Sequence, residues 1–173
     1  MPYSQLMRRP CRRNSSSLHN RISRQSLRID EFIKGEGESN GFDSPSPCLR
    51  CIDQLEQAGF EAWAVGGCVR DLLRGVQPHD YDLTTSALPE ETLRLFPHTV
   101  PTGITYGTVT VIAQREPLEV TTFRTEEAYH DFRRPSGVLF ASRLEQDLAR
   151  RDFTVNAMAY APSRGLTDLF GGA

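Results

Sequence analysis

Two glycines, Gly66 and Gly67, separate an apolar run ending at Val65 from a helix-like run starting at Cys68, and Asp80-Tyr81-Asp82 follows thirteen residues after Gly67. No other stretch constrains the fold as much. Phe60 to Val65 reads as a strand. Cys68 to Arg74 reads as a short helix with Val69, Leu72 and Leu73 inward and Gly75 as its stop, and Tyr81 to Thr84 reads as a second strand. Glycines between a strand and a helix let backbone N–H groups approach a polyphosphate without interference from a Cβ. Arg70, on the first turn of that helix, adds a charged fork, and Asp71 is placed to hold Arg70 or cap the turn.

Two residues apart on a strand, Asp80 and Asp82 would point to one face with Cα atoms ~6.5 Å apart. Unpaired, such carboxylates repel and one pKa rises. A divalent ion removes that conflict, and Mg²⁺ takes one or two carboxylates plus substrate phosphates. Two such ions can stabilise the attacking and leaving oxygens of an in-line displacement. An exposed acidic strand end is the alternative for an isolated Asp-x-Asp; the glycine pair favours phosphate chemistry.

The surrounding pattern is mixed α/β. Ser44-Pro45-Ser46-Pro47 opens a helix whose apolar stripe is Cys48, Ile52, Leu55 and Ala58, with Gly59 as the stop. Leu88-Pro89-Glu90-Glu91 opens another, running to Phe96. Gly107 to Ile112 and Leu118 to Phe123 read as a hairpin turning near Arg115-Glu116-Pro117. Glu119 would lie beside the Asp pair if its strand neighbours theirs; a surface strand acid is the alternative. Glu126 to Ser136 is polar and reads as a mobile loop. Ser142-Arg143-Leu144-Glu145 has the form of a capping box and opens a helix to about Arg151, with Leu144 and Leu148 buried and Arg150 and Arg151 projecting polar forks. A nucleotide needs such groups, Arg for phosphate and Asp152 or Asn156 for ribose hydroxyls.

Four ordered segments then carry a resemblance: Gly66-Gly67-x-Val69-Arg70-Asp71, Asp80-x-Asp82, Glu119-Val-Thr-Thr-Phe-Arg124, and Arg150-Arg151-Asp152-Phe153-Thr154-x-Asn156-Ala157. Over about residues 47–173 the chain resembles the head of bacterial-type (class II) tRNA CCA-adding enzymes and poly(A) polymerases, within the polymerase-β-like nucleotidyltransferases. Thr102-Gly103-x-x-Tyr106-Gly107-Thr108-Val109-Thr110 looks more like the CCA-adding branch. The resemblance implies that Gly66, Gly67, Arg70 and Arg151 serve the incoming NTP, with Asp152 and Asn156 as ribose-side candidates. It implies that Asp80 and Asp82 bind catalytic Mg²⁺ and that Glu119 is a third acid. It also makes Glu126 to Pro135 a loop that helps switch between additions. The implied reaction is attack of a tRNA 3′-hydroxyl on the α-phosphate of CTP or ATP with release of pyrophosphate. The family's base-selecting neck lies beyond Ala173, so the chain reads as an N-terminal fragment or truncated gene product. A poly(A) polymerase and a catalytically silent NTP- or RNA-binding fragment are the rival functions.

The expected fold is therefore α/β (α+β): a polymerase-β-like head over residues 44–173, with a small mixed sheet, helices packed on one side, and a disordered basic arm over residues 1–43. The arm is rich in Arg, Ser, Asn and Gly and cannot bury enough apolar area to offset its ordering entropy. Its first 28 residues carry seven Arg and no acid, which suits a mitochondrial transit peptide, an RNA-attracting tail, or a start codon set too far upstream. Formal net charge is −2, so the bulk balance predicts no partner. No apolar run approaches the ~18–20 residues a membrane span needs. Cys11, Cys48, Cys51 and Cys68 do not form a disulfide framework, which implies a reducing compartment such as the cytoplasm. Cys48-x-x-Cys51 lacks a second metal-binding pair and reads as two small packing positions.

Overall fold

The computed structural model describes residue 29 and residues 46–125 and 138–173. Helix α1 spans Pro47–Gln57. It starts where Ser46 Oγ accepts the Leu49 N–H at 3.4 Å, and it buries Cys48, Cys51, Ile52 and Leu55. Ala58 lies just past the helix and is exposed, so the stripe ends one turn earlier than its spacing suggests. Strand β1, Ala62–Val65, is buried on both faces. It leads through Gly66 into α2, Gly67–Leu73, and then to β2, Asp82–Thr85. Helix α3 is Pro89–Leu95, and the Glu91 carboxylate accepts the Leu88 N–H at 2.7 Å.

Strands β3 (Thr99–Gly103), β4 (Thr108–Ala113) and β5 (Glu116–Thr122) follow. The hairpin turns at Gln114 and Arg115, both at positive φ (52° and 73°), which is the signature of a two-residue primed turn. The turn thus comes earlier than expected, and Pro117 is a strand residue. It pairs with Ile112 before β2 joins β5 at Glu119, so its missing N–H leaves no ladder bond to β2 unmade. A two-stranded sheet pairs β6 (Arg124–Thr125) with β7 (Leu139–Phe140). Helix α4 is Leu144–Ala149, followed by β8 (Met158–Ala161) and β9 (Gly165–Asp168).

The main sheet has the order β3-β4-β5-β2-β1-β8-β9. It is mixed because β2 and β5 run parallel while their other neighbours are antiparallel. On one face, Ala62, Ala64, Leu83, Leu118, Val120, Met158 and Tyr160 meet residues of α1 and α2. On the other, Trp63, Val65, Ala159 and Ala161 meet Leu144 and Leu148 of α4. The expectation of helices on one side fails here: β1 is apolar at four successive positions, so its second face needs a cover too. The expected capping box also fails. Arg143, not Ser142, is the N-cap of α4, and no side chain caps it.

Ile29, inside the expected arm, is fully buried in the main core; the expected boundary at residue 43 leaves it out. The rest of the arm and the loop expected over Glu126 to Ser136 lie outside the described residues.

Candidate active site

The sheet register assembles a row across its second face. Thr110 pairs with Glu119, Glu119 with Asp82, Asp82 with Val65, and Val65 with Ala159. Residues opposite each other in a ladder share a face, with Cβ atoms ~5 Å apart. Glu119 therefore stands beside Asp82, as expected for neighbouring strands, and both side chains are exposed. Leu118 and Val120, on either side of Glu119, are buried on the opposite face, which locks this orientation.

Asp80 departs from the expected geometry. It lies in a bend before β2 rather than on the strand, so strict alternation does not set its direction. It nevertheless acts on Asp82. Although part of its side chain reaches solvent, partial desolvation raises the Asp82 carboxyl above its usual range, the Arg151 guanidinium draws it down, and Asp80 pushes it up again. Such a carboxyl adds nothing to stability below its unfolded pKa, and it becomes a destabilising charge as pH rises through its higher folded value. Asp82→Asn is accordingly expected to raise the melting temperature of the chain in EDTA at pH 7. The gain should shrink as pH falls towards about 4, where the unfolded carboxyl also takes its proton. Calorimetry at the two pH values checks this; the same gain at both would contradict it.

Gly66 brings the remaining parts together. Its φ of 76° and ψ of −136° suit glycine. A Cβ there would sit 3.2 Å from Arg151 Nη1 and 3.8 Å from Asp82 Oδ2. The glycine backbone, the arginine fork and the carboxylate thus share one small volume at the open end of β1 and β2. Arg70 faces it from α2: its Nε bonds Asp71 Oδ1 at 2.9 Å and its Nη1 bonds Asn156 Oδ1 at 3.2 Å, while a Cβ on Gly67 would meet its Nη2 at 3.5 Å. Asp71 holds Arg70, as its position in the sequence suggests. Asn156, on a 3-10 turn over Thr154–Asn156, accepts from Arg70 through its Oδ1, and Asp152 is exposed.

Arg150 does not project as a free fork. It folds back onto Asp147 through Nε at 3.0 Å and Nη2 at 2.9 Å. Sequence reasoning assigned Asp147 no role, yet it is fully buried and also accepts from Arg151 and Thr84. The signal was present, since three and four residues along a helix are neighbours.

Cys48, Cys51 and Cys68 are free and buried. Burial pushes the Cys51 thiol up to about 12 and the Cys68 thiol up to about 11, which suits packing rather than nucleophilic or metal-binding roles. Among the described residues no three His, Cys, Asp or Glu side chains converge as a metal cage. Asp80 and Asp82, two hard-oxygen donors of which Asp80 raises the proton affinity of Asp82, fit a cation that fills its shell with phosphate and water. No helix among the described residues is long and apolar enough to cross a membrane.

The sequence pattern of the family described as "Poly A polymerase head domain" matches residues 62–173. A CCA-adding enzyme of Bacillus cereus (strain B4264) is 54% identical over 121 residues, a match covering 70% of this chain and 30% of the relative. The crystal structure of the Bacillus stearothermophilus CCA-adding enzyme in complex with CTP is similar with a TM-score of 0.65 at 43% identity, over 75% of this chain and 31% of that one. A tRNA nucleotidyltransferase complexed with a primer tRNA and an incoming ATP analog is similar with a TM-score of 0.56 at 29% identity, over 70% of this chain and 35% of that one. The chain spans about a third of the length of the curated relatives it matches.

Proposed function

The chain belongs to the poly(A) polymerase head-domain family, and from that premise we propose that it is the nucleotidyl-transferring head of a tRNA nucleotidyltransferase. It would add CCA to tRNA 3′ ends from CTP and ATP. The observation that carries the proposal is the meeting of Arg151 and Asp82 at the Gly66 backbone, where a triphosphate and its cation would both be served.

Members of this family are generally metal-dependent; Mg²⁺ is the ion proposed here, held by Asp80 and Asp82. When bound, it neutralises charge on the transferring phosphate and on the leaving pyrophosphate. Gly66 and Gly67 let the backbone approach the phosphates, and Arg151 and Arg70 pair with their oxygens. Asn156 holds Arg70 through its Oδ1, and the Asn156 amide nitrogen and exposed Asp152 would serve the ribose. The 3′-oxygen of the tRNA attacks the α-phosphorus, the bond to the β-phosphate oxygen breaks, and pyrophosphate leaves. Glu119 would take the proton of the attacking hydroxyl, a role supported by its exposure and its register beside Asp82. The free state of the three described cysteines suits a reducing compartment such as the cytoplasm.

The test is incubation of the chain with Mg²⁺, labelled CTP or ATP, and tRNA lacking its 3′ CCA. Incorporation that disappears in Asp80→Ala is expected, and a product that stops after three nucleotides marks the CCA-adding branch. A long homopolymer would replace this reading by poly(A) synthesis, and no incorporation despite CTP binding would replace it by a silent nucleotide-binding head.

A further inference from the structure

We propose that Asp147 is a positioning residue that holds the Arg151 guanidinium at the nucleotide site, an inference that rests on Arg151 being a nucleotide contact. Asp147 is fully buried in α4. Its Oδ1 accepts the Arg150 fork, at 3.0 and 2.9 Å, and the Arg124 backbone N–H at 3.3 Å. Its Oδ2 accepts from Arg151 Nη2 at 3.3 Å and lies 3.2 Å from Thr84 Oγ1, whose single proton it shares with the Thr121 carbonyl at the same distance. Thr84 lies two residues along β2 from Asp82. One carboxylate therefore bonds both the strand that carries Asp82 and the arginine that meets Asp82 at Gly66.

A buried carboxylate is costly unless its oxygens are paired, and here each oxygen has more than one donor. Arg151 Nε is buried without a hydrogen-bond partner among the described residues, so the guanidinium is fixed from its far end by Asp147. Three positive charges crowd the same place. Arg124, deprotonated more easily than usual because of burial and then Arg150, is drawn back by Asp147. Without the Asp147 charge, Arg150 and Arg151 lose their shared partner and repel, and Arg151 no longer has a fixed distance to Asp82. Asp147 does not reach the open site itself; it acts through Arg151.

Calorimetric titration of CTP with Mg²⁺ into the full 173-residue chain tests this with wild type, Arg151→Gln, Asp147→Asn and the double variant. Asp147→Asn is expected to weaken CTP by about tenfold or more in the wild type and not to weaken it further once Arg151 is gone, since coupled residues depart from additivity. Additive losses, or unchanged affinity in Asp147→Asn, would overturn the role of Asp147 while leaving that of Arg151. Unchanged affinity in Arg151→Gln would overturn the nucleotide reading of Arg151 and this inference with it. Because Asp147→Asn can fail to fold, Thr84→Val is run in the same two backgrounds. It removes one bond to Oδ2 and keeps the charge. A loss of about two- to tenfold in the wild type and none beside Arg151→Gln is expected; equal losses in both would overturn the proposal.

Discussion

Asp82→Ala is expected to lower nucleotide incorporation by about a thousandfold or more, the scale of losing several kcal/mol of transition-state charge stabilisation from a metal site. Three parts of the proposed site meet at this carboxylate: Glu119 lies in register beside it, Asp80 acts on it, and Arg151 approaches it across Gly66. Its removal leaves one carboxylate for the cation and frees Arg151 from its neighbour. Single-turnover assays with saturating CTP check this, because they read the chemical step apart from binding. Glu119→Gln serves as the comparison. Loss of a general base costs about a hundredfold or more, and the loss should depend on pH. An Asp82→Ala chain that retains most of its rate would remove the metal reading altogether.

Gly66→Ala is expected to damage both stability and nucleotide binding. The backbone there is one that residues with a Cβ rarely adopt, which costs about 1–3 kcal/mol. The new methyl would also press on Arg151 Nη1, 3.2 Å from the Cβ position, and lie 3.8 Å from Asp82 Oδ2. Arg151 is held behind by Asp147 and has little room to yield. CTP affinity should therefore fall by roughly tenfold or more, beyond what instability explains. Gly59→Ala separates the two effects. Gly59 also has a positive φ, 90°, but a Cβ there meets nothing within 4 Å. It should lower the unfolding free energy by about 1 kcal/mol and leave CTP affinity unchanged. Equal affinity losses in both variants would show that the Gly66 contact geometry is irrelevant.

The helices and the strands β1, β2, β4 and β5 were legible because their signals are local, whereas the inner strand β8 was not read as a strand. The apolar spacing of α1, the glycine stop at Gly59, and the β-branched run of β4 each depend on residues a few positions apart. The elements that were missed are those whose formation depends on a neighbour. Strand β3 reads Thr-Val-Pro-Thr-Gly, and Pro101 argues against a strand except at a sheet edge, which is where β3 lies. Strand β9 is the other edge, and β6 and β7 are two residues each, held by one another. The hairpin turn was misplaced because Pro117 is a strong turn signal, whereas Gln114 and Arg115 adopt positive φ only under the demand of the flanking strands.

The candidate site divides in the same way. The sequence by itself determined the parts: a glycine pair between strand and helix, an Asp-x-Asp pair, an acid on a β-branched strand, and a helix ending in two arginines. Those parts point to the kind of chemistry proposed, since residue type and short spacing limit what can hold a phosphate or a cation. Only the tertiary structure decided which parts touch. The parallel pairing of β2 with β5 set Glu119 beside Asp82, and the packing of α4 on the second face of β1 carried Arg151 to Gly66. The Arg70–Asn156 bond joins residues 86 positions apart, and the Thr84–Asp147 bond joins residues 63 apart. Contacts over such separations follow from strand order and from which sheet face must be covered, and no local periodicity encodes either.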